Sequence, residues 1–123
     1  MSQVFITGYA ALSAGGHNVE EHWQSLLQGH SQISSSPSLQ HFEHSLCGEI
    51  QNFNWSHALP DRKLQKVISK QDVMGLYAAI GAANHSGLTP FLADGMQNNP
   101  EVCDKTAVFV GSPGNKYCQQ YDF

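Results

Sequence analysis

Apolar residues along the chain fall into a few short blocks separated by polar, glycine-rich or serine-rich stretches. Val4, Phe5 and Ile6 form a β-branched and aromatic run that leads through Thr7 and Gly8 into the small-residue stretch AALSAGG. That pattern predicts a buried strand entering a glycine-rich turn. Val19, Trp23, Leu26 and Leu27 then recur at i, i+4, i+7 and i+8, behind Asn18 and Glu21 at capping-box spacing. They predict an amphipathic helix that starts after Asn18 and stops at Gly29. Residues 30–40 have no period and are dense in serine, so they are expected to form an exposed connection. A weaker strand signal follows around LCGEIQNF, with Leu46, Ile50 and Phe53 as its inward residues.

The second helix is the best punctuated. Ser69 stands as N-cap with Asp72 at N3, Ile68 and Val73 form a hydrophobic staple, and Gly87 is the stop. Its apolar stripe is Val73, Leu76, Tyr77, Ile80 and Ala83, and Gly75 and Gly81 are among the small residues that fill the other positions. Each glycine costs a helix interior about 1 kcal/mol relative to alanine. Close approach of neighbouring backbone on more than one side is the expected compensation. A turn-rich stretch, LTPFLADGMQNNPE, separates this helix from Thr106 to Gly111, whose continuous apolar run suits a strand covered on both faces. Strand and helix thus alternate, which argues for a layered α/β fold with a partly parallel sheet. A buried strand there ordinarily continues into a crossover helix. The polar residues after Val110 offer none, so the chain is expected to be a piece of a longer domain, exposing apolar surface on Val108, Val110 and the second helix.

Composition narrows the function classes. Charged residues make up 13% of the chain, against about a quarter in an average protein, which suggests surface meant to be covered. The net charge of −4 supplies no global field for a nucleic-acid backbone. No apolar run approaches the roughly eighteen residues of a membrane span, and the first residues do not form a signal peptide, so a cytoplasmic protein is expected. Cys47, Cys103 and Cys118 suit neither a disulfide framework nor a metal knuckle and read as ordinary thiols. Gly8, Gly15 and Gly16 miss the dinucleotide-binding spacing, and no cofactor is expected.

Seven histidines invite a metal reading. His41 and His44 are three apart with only Glu43 between them, no convincing third ligand stands nearby, and they read as solvated loop residues. His17 and His22 flank the first helix start as polar surface or interface residues, without a recognisable nucleophile to serve. Positive charge is the most local signal. Arg62, Lys63, Lys66 and Lys70 are four of the six Lys and Arg in the chain. On a short helical turn Lys63 and Lys66 would share one side, with Leu64 and Val67 facing in. Such a cluster could dock an acidic partner or simply be a solvated face.

The ordered set of motifs resembles the start of the β-ketoacyl-[acyl carrier protein] synthases. VFITGYAALSAGGHNVEEHWQSLLQGHSQI is similar to the family's VxITGxGxxS strand and turn, with its following helix and GxSGI. Gly8 and Ser13 match, whereas Tyr9, Ala10 and Gln32 depart from it. LPDRKLQKVISKQDVMGLYAAIGAANHSGL resembles the DRK segment and the helix ending in AGL, and NNPEVCDKTAVFVGSPG resembles the strand that precedes the family's active-site half.

The resemblance implies the N-terminal part of a thiolase-like layered α/β fold, with an incomplete sheet and packed helices, from an enzyme that works as a homodimer or heterodimer. The implied chemistry is acyl transfer to a cysteine, then decarboxylative Claisen condensation with malonyl-carrier protein, in fatty-acid or polyketide biosynthesis. The family's reacting cysteine, two histidines and lysine are expected beyond this stretch, which is then scaffold and inactive alone. The resemblance carries a carrier-protein-docking role onto Arg62, Lys63 and Lys66, where Lys66 replaces the usual arginine and loses its bidentate geometry. Two other readings stand beside it: a non-catalytic chain-length partner subunit, and a free-standing small α/β module that binds an acidic partner through the basic patch.

Overall fold

A computed structural model describes residues 3–54, 57–59, 61, 63, 68–98 and 101–111. The chain divides into two compact units, Met1–Ser86 and Gly87–Phe123.

In the first unit, α1 spans Val19–Leu27, as its periodicity and caps predict. Asn18 accepts the Glu21 N–H at its side-chain oxygen. The Glu21 carboxylate departs from the standard capping box, since it reaches past the N-cap to the His17 N–H at 2.6 Å and also accepts from the Asn18 amide at 2.8 Å. At the other end Gly29 turns left-handed with φ 65°. Its N–H donates to the Leu26 carbonyl and that of His30 to the Ser25 carbonyl, which closes a Schellman motif. The apolar stripe of α1 is largely bare, with Trp23 55% exposed and Leu26 and Leu27 more so.

The serine-rich stretch carries regular structure that its composition hides. Strand β1, Ser34–Ser35, pairs antiparallel with β2, Leu46–Cys47, in the register Ser34 with Cys47 and Ser35 with Leu46. A single 3-10 turn, Pro37–Leu39, follows Ser36. Ser36 is buried because its hydroxyl has work on both sides: it donates to the Glu49 carboxylate at 3.1 Å and accepts the Ser38 N–H. The strand expected around LCGEIQNF shrinks to two residues, and its inward residue is the half-buried Cys47 rather than the exposed Leu46. Ile50 and Phe53 are half-buried outside any strand. Just before Phe53, Asn52 holds a left-handed φ of 56°.

Helix α2, Lys70–His85, has both halves of its capping box. Ser69 Oγ accepts the Asp72 N–H, and Asp72 Oδ2 accepts the Ser69 N–H, both at 3.0 Å. Gly87 follows its end with φ 71°. Val73 and Leu59 are the buried apolar side chains among the described residues. Each contributes about 2 kcal/mol, so local capping and partly buried contacts share the task of holding this unit.

The two helix glycines differ. A Cβ on Gly81 would stand 3.0 Å from that of Ala10, whereas one on Gly75 would meet nothing within 4 Å. The expected close approach therefore holds at Gly81 and fails at Gly75.

In the second unit the turn-rich stretch is a helix, α3, Leu88–Asn98, followed by the short α4, Glu101–Asp104. Pro90 does not break α3 because it sits in the first turn, where its missing N–H would have had no intrahelical partner. An Asn98 amide donating to Asp94 at 2.7 Å and a Lys105–Glu101 pair at 3.2 Å decorate the exposed faces.

Two expected strands are not formed. Val4–Ile6 and Thr106–Gly111 lie outside regular structure, with Ile6 88% and Phe109 94% exposed. An isolated apolar run has no hydrogen-bond ladder of its own and becomes a strand only beside another. The α/β class thus holds in coarse form, as helices with one two-stranded antiparallel sheet among the described residues, and the partly parallel sheet is absent there. The bare Val108 and Val110, and the exposed Leu76 and Ile80 of α2, match the apolar exposure anticipated from the sequence.

Candidate functional site

The richest cluster of polar and aromatic side chains lies in the first unit, where the glycine-rich turn meets the start of α1 and the far end of α2. Ser13 and Gly16 exchange both backbone hydrogen bonds, at 3.0 and 3.2 Å, around Ala14 and Gly15. The Ser13 hydroxyl accepts the Gly15 N–H at 3.0 Å and lies 3.0 Å from His22 Nε2. This serine-histidine pair is a contact the sequence reading missed. Nothing in local spacing marks it, because the turn between the two residues brings them together. It has the makings of a tie rather than a nucleophile: His22 makes no hydrogen bond to a carboxylate among the described residues, and its Nδ1 side lies against Gly15.

His17 bridges to a distant loop, with Nε2 3.0 Å from the Gln51 carbonyl. Its ring stands edge-on to Phe53 at 5.2 Å, and Phe53 stands edge-on to Tyr77 of α2 at 5.0 Å. At the end of α2, His85 Nδ1 accepts the Tyr9 N–H at 3.2 Å, and the two rings meet edge to face at 4.5 Å. The His17, Tyr77, Tyr9 and His85 side chains border an open cleft of about 500 Å³. Tyr9, His17, Glu20, Tyr77, Ile80 and His85 are among its lining residues.

Electrostatics act at the helix starts. The Glu21 carboxyl is held below the usual glutamate range, first by the His17 N–H and then by the Asn18 amide, with the nearby His17 and His22 rings adding to the effect. Asp72 is lowered by the Ser69 side chain and then by the Ser69 N–H. Both carboxylates also face the positive end of a helix.

The basic segment singled out in the sequence is only partly described. Lys63 is exposed, and its N–H donates to Asp61 Oδ1 at 2.8 Å in a side-chain-closed turn. Arg62 and Lys66 lie outside the described residues, as do Leu64 and Val67. Lys70 is exposed at the first position of α2. Of the cysteines, Cys47 is a half-buried free thiol in β2. Cys118 and the side chain of Cys103 lie outside the described residues. His41 and His44 are both exposed.

A family model described as "Beta-ketoacyl synthase, N-terminal domain" matches residues 1–123. The chain belongs to the β-ketoacyl synthase family. It is a family of condensing enzymes of the acyltransferase type, and the match covers the three stretches that carry the resemblance in sequence. Comparison with curated proteins and with solved structures returns no match. Of the synthase-like residues in the first stretch, Gly8 and Ser13 both have structural roles: Gly8 lies against the end of α2, and Ser13 ties the turn to α1. No helix among the described residues is long and apolar enough to cross a membrane.

Proposed function

We propose that this chain is the scaffold and carrier-protein-docking part of a β-ketoacyl-ACP synthase, within a thiolase-like layered fold completed by sequence and subunits outside this stretch. The intact cytoplasmic enzyme, a homodimer or heterodimer, condenses an acyl group with malonyl-carrier protein in fatty-acid or polyketide biosynthesis. The acyl group passes to a cysteine, and loss of carbon dioxide from the malonyl group drives carbon–carbon bond formation, with an oxyanion hole stabilising the tetrahedral species. This stretch alone contributes no reacting group. Supporting that reading, Cys47 sits in a short strand instead of at a helix N-terminus, where a thiolate would be stabilised.

The family match over residues 1–123 carries the proposal. The docking role falls on Arg62, Lys63 and Lys66, which would meet the acidic helix of acyl carrier protein. Exposure of Lys63, with its ammonium in no ion pair among the described residues, is in keeping with that role. The test is the double variant Lys63→Glu, Lys66→Glu in the intact synthase, with carrier-protein affinity measured at low salt. Two lost and reversed ion pairs should weaken binding by roughly tenfold, with the melting temperature unchanged. Unchanged affinity at low salt would remove the docking assignment and leave the family membership intact.

A further inference from the structure

Three histidine rings hold the loops of the first unit, and they differ in what a proton does to their bonds. His17 Nε2 faces the Gln51 carbonyl at 3.0 Å. A carbonyl only accepts, so that nitrogen carries a proton in both charge states and the bond survives acidification. His22 Nε2 faces the Ser13 hydroxyl at 3.0 Å. A hydroxyl donates or accepts, so this bond also survives, with the protonated ring donating to the hydroxyl oxygen. His85 is different. Its Nδ1 receives the backbone N–H of Tyr9 at 3.2 Å. A backbone N–H only donates, so the bond requires a free lone pair on Nδ1 and therefore a neutral ring protonated at Nε2.

We propose that His85 is a proton-sensitive latch that fastens the N-terminal segment to the C-terminal end of α2 and lets it go when the ring is protonated. Placement at the end of the helix supplies the second half of the device. His85 is the last residue of α2, where the exposed carbonyl ends attract a cation. Protonation thus sets two donors, Nδ1–H and the Tyr9 N–H, against each other and gives the ring a competing place to turn. The other titratable groups bordering the same cleft are Tyr9 from the N-terminal segment, His17 and Glu20 from the turn and the start of α1, and Tyr77 from α2 itself. Both latch residues are exposed, so the proton has free access.

The test is amide hydrogen exchange at Tyr9, read by NMR on the chain between about pH 5 and 8 and corrected for the intrinsic pH dependence of exchange. Protection of Tyr9 should fall by roughly fivefold on the acid side, the equilibrium weight of one partly exposed hydrogen bond. His85→Asn keeps an acceptor that does not titrate and should flatten the profile. His85→Phe keeps a ring against Tyr9 without an acceptor and should leave protection low at every pH. His17→Gln should retain the wild-type profile. Tyr9 protection that is independent of pH in the wild-type chain, or a pH response that persists in His85→Asn, would overturn the proposal.

Discussion

Gly8 lies so close to Ser86 that a Cβ on the glycine would stand 2.6 Å from the Ser86 Cβ. It would also run into the carbonyl oxygen of Ala82, so relief requires backbone to move. Gly8→Ala should therefore destabilise the chain by about 2 kcal/mol, the usual scale of an overpacked contact. A urea titration followed by far-UV circular dichroism reads this as a lowered midpoint.

The opposite result is expected at Gly75. Nothing lies within 4 Å of its Cβ position, so alanine there gains helix propensity with no clash. Gly75→Ala should stabilise α2 by about 1 kcal/mol, and the same titration would show a raised midpoint.

At the start of α2, Ser69→Ala removes the acceptor for the Asp72 N–H. The expected cost is about 1 kcal/mol. Ser69→Asp, which restores an acceptor at the N-cap, should recover most of it, and thermal melts of the two variants would distinguish loss of the cap from general disruption.

Acid should weaken both helix starts. Glu21 and Asp72 have carboxyls held below their ordinary ranges in the folded chain. Their contribution is complete above the unfolded carboxylate range and is lost as pH falls through the lower folded values. Stability measured against pH should accordingly decline on the acid side, and Glu21→Gln should make that decline shallower.

Phe53 stands between the rings of His17 and Tyr77. Phe53→Leu keeps an apolar side chain but removes both edge-to-face contacts, so it should cost about 1 to 2 kcal/mol. Near-ultraviolet circular dichroism should report a changed tyrosine environment.

How much of this was legible in the sequence follows from distance along the chain. Asn18 with Glu21, Ser69 with Asp72, and the stops at Gly29 and Gly87 are signals within a few residues of what they cap, and α1 and α2 begin and end where those signals stand. Pairings across many residues were not legible. Nothing near Tyr9 announces His85, and nothing near His17 announces Gln51. Ser34 and Ser35 look like loop because hydroxyl side chains suit a turn as well as a two-residue strand, and the partner at Leu46–Cys47 decides between them. At Val4–Ile6 and Thr106–Gly111 the apolar pattern predicts buried strands that do not form, because pattern alone does not supply the neighbouring strand. Pro90 misled in the other direction, since proline punctuates a helix interior and is harmless in a first turn. The basic segment was visible as charge, and its shape lies outside what the structure describes at Arg62 and Lys66.

The contacts of the glycine-rich turn also set an order in time. Ser13 with Gly16, Ser13 with His22, and His17 with Glu21 all join residues fewer than ten apart. Loops that short close within about 0.1 microseconds, so turn and helix can assemble as soon as residue 30 is free of the ribosome. The partners of Gly8 and Tyr9, by contrast, are Ala82, His85 and Ser86. At roughly 5 to 20 residues per second, Gly8 and Tyr9 wait several seconds of synthesis before these neighbours exist. During that interval the turn and α1 can be complete while the Tyr9 N–H still lacks the acceptor that His85 provides.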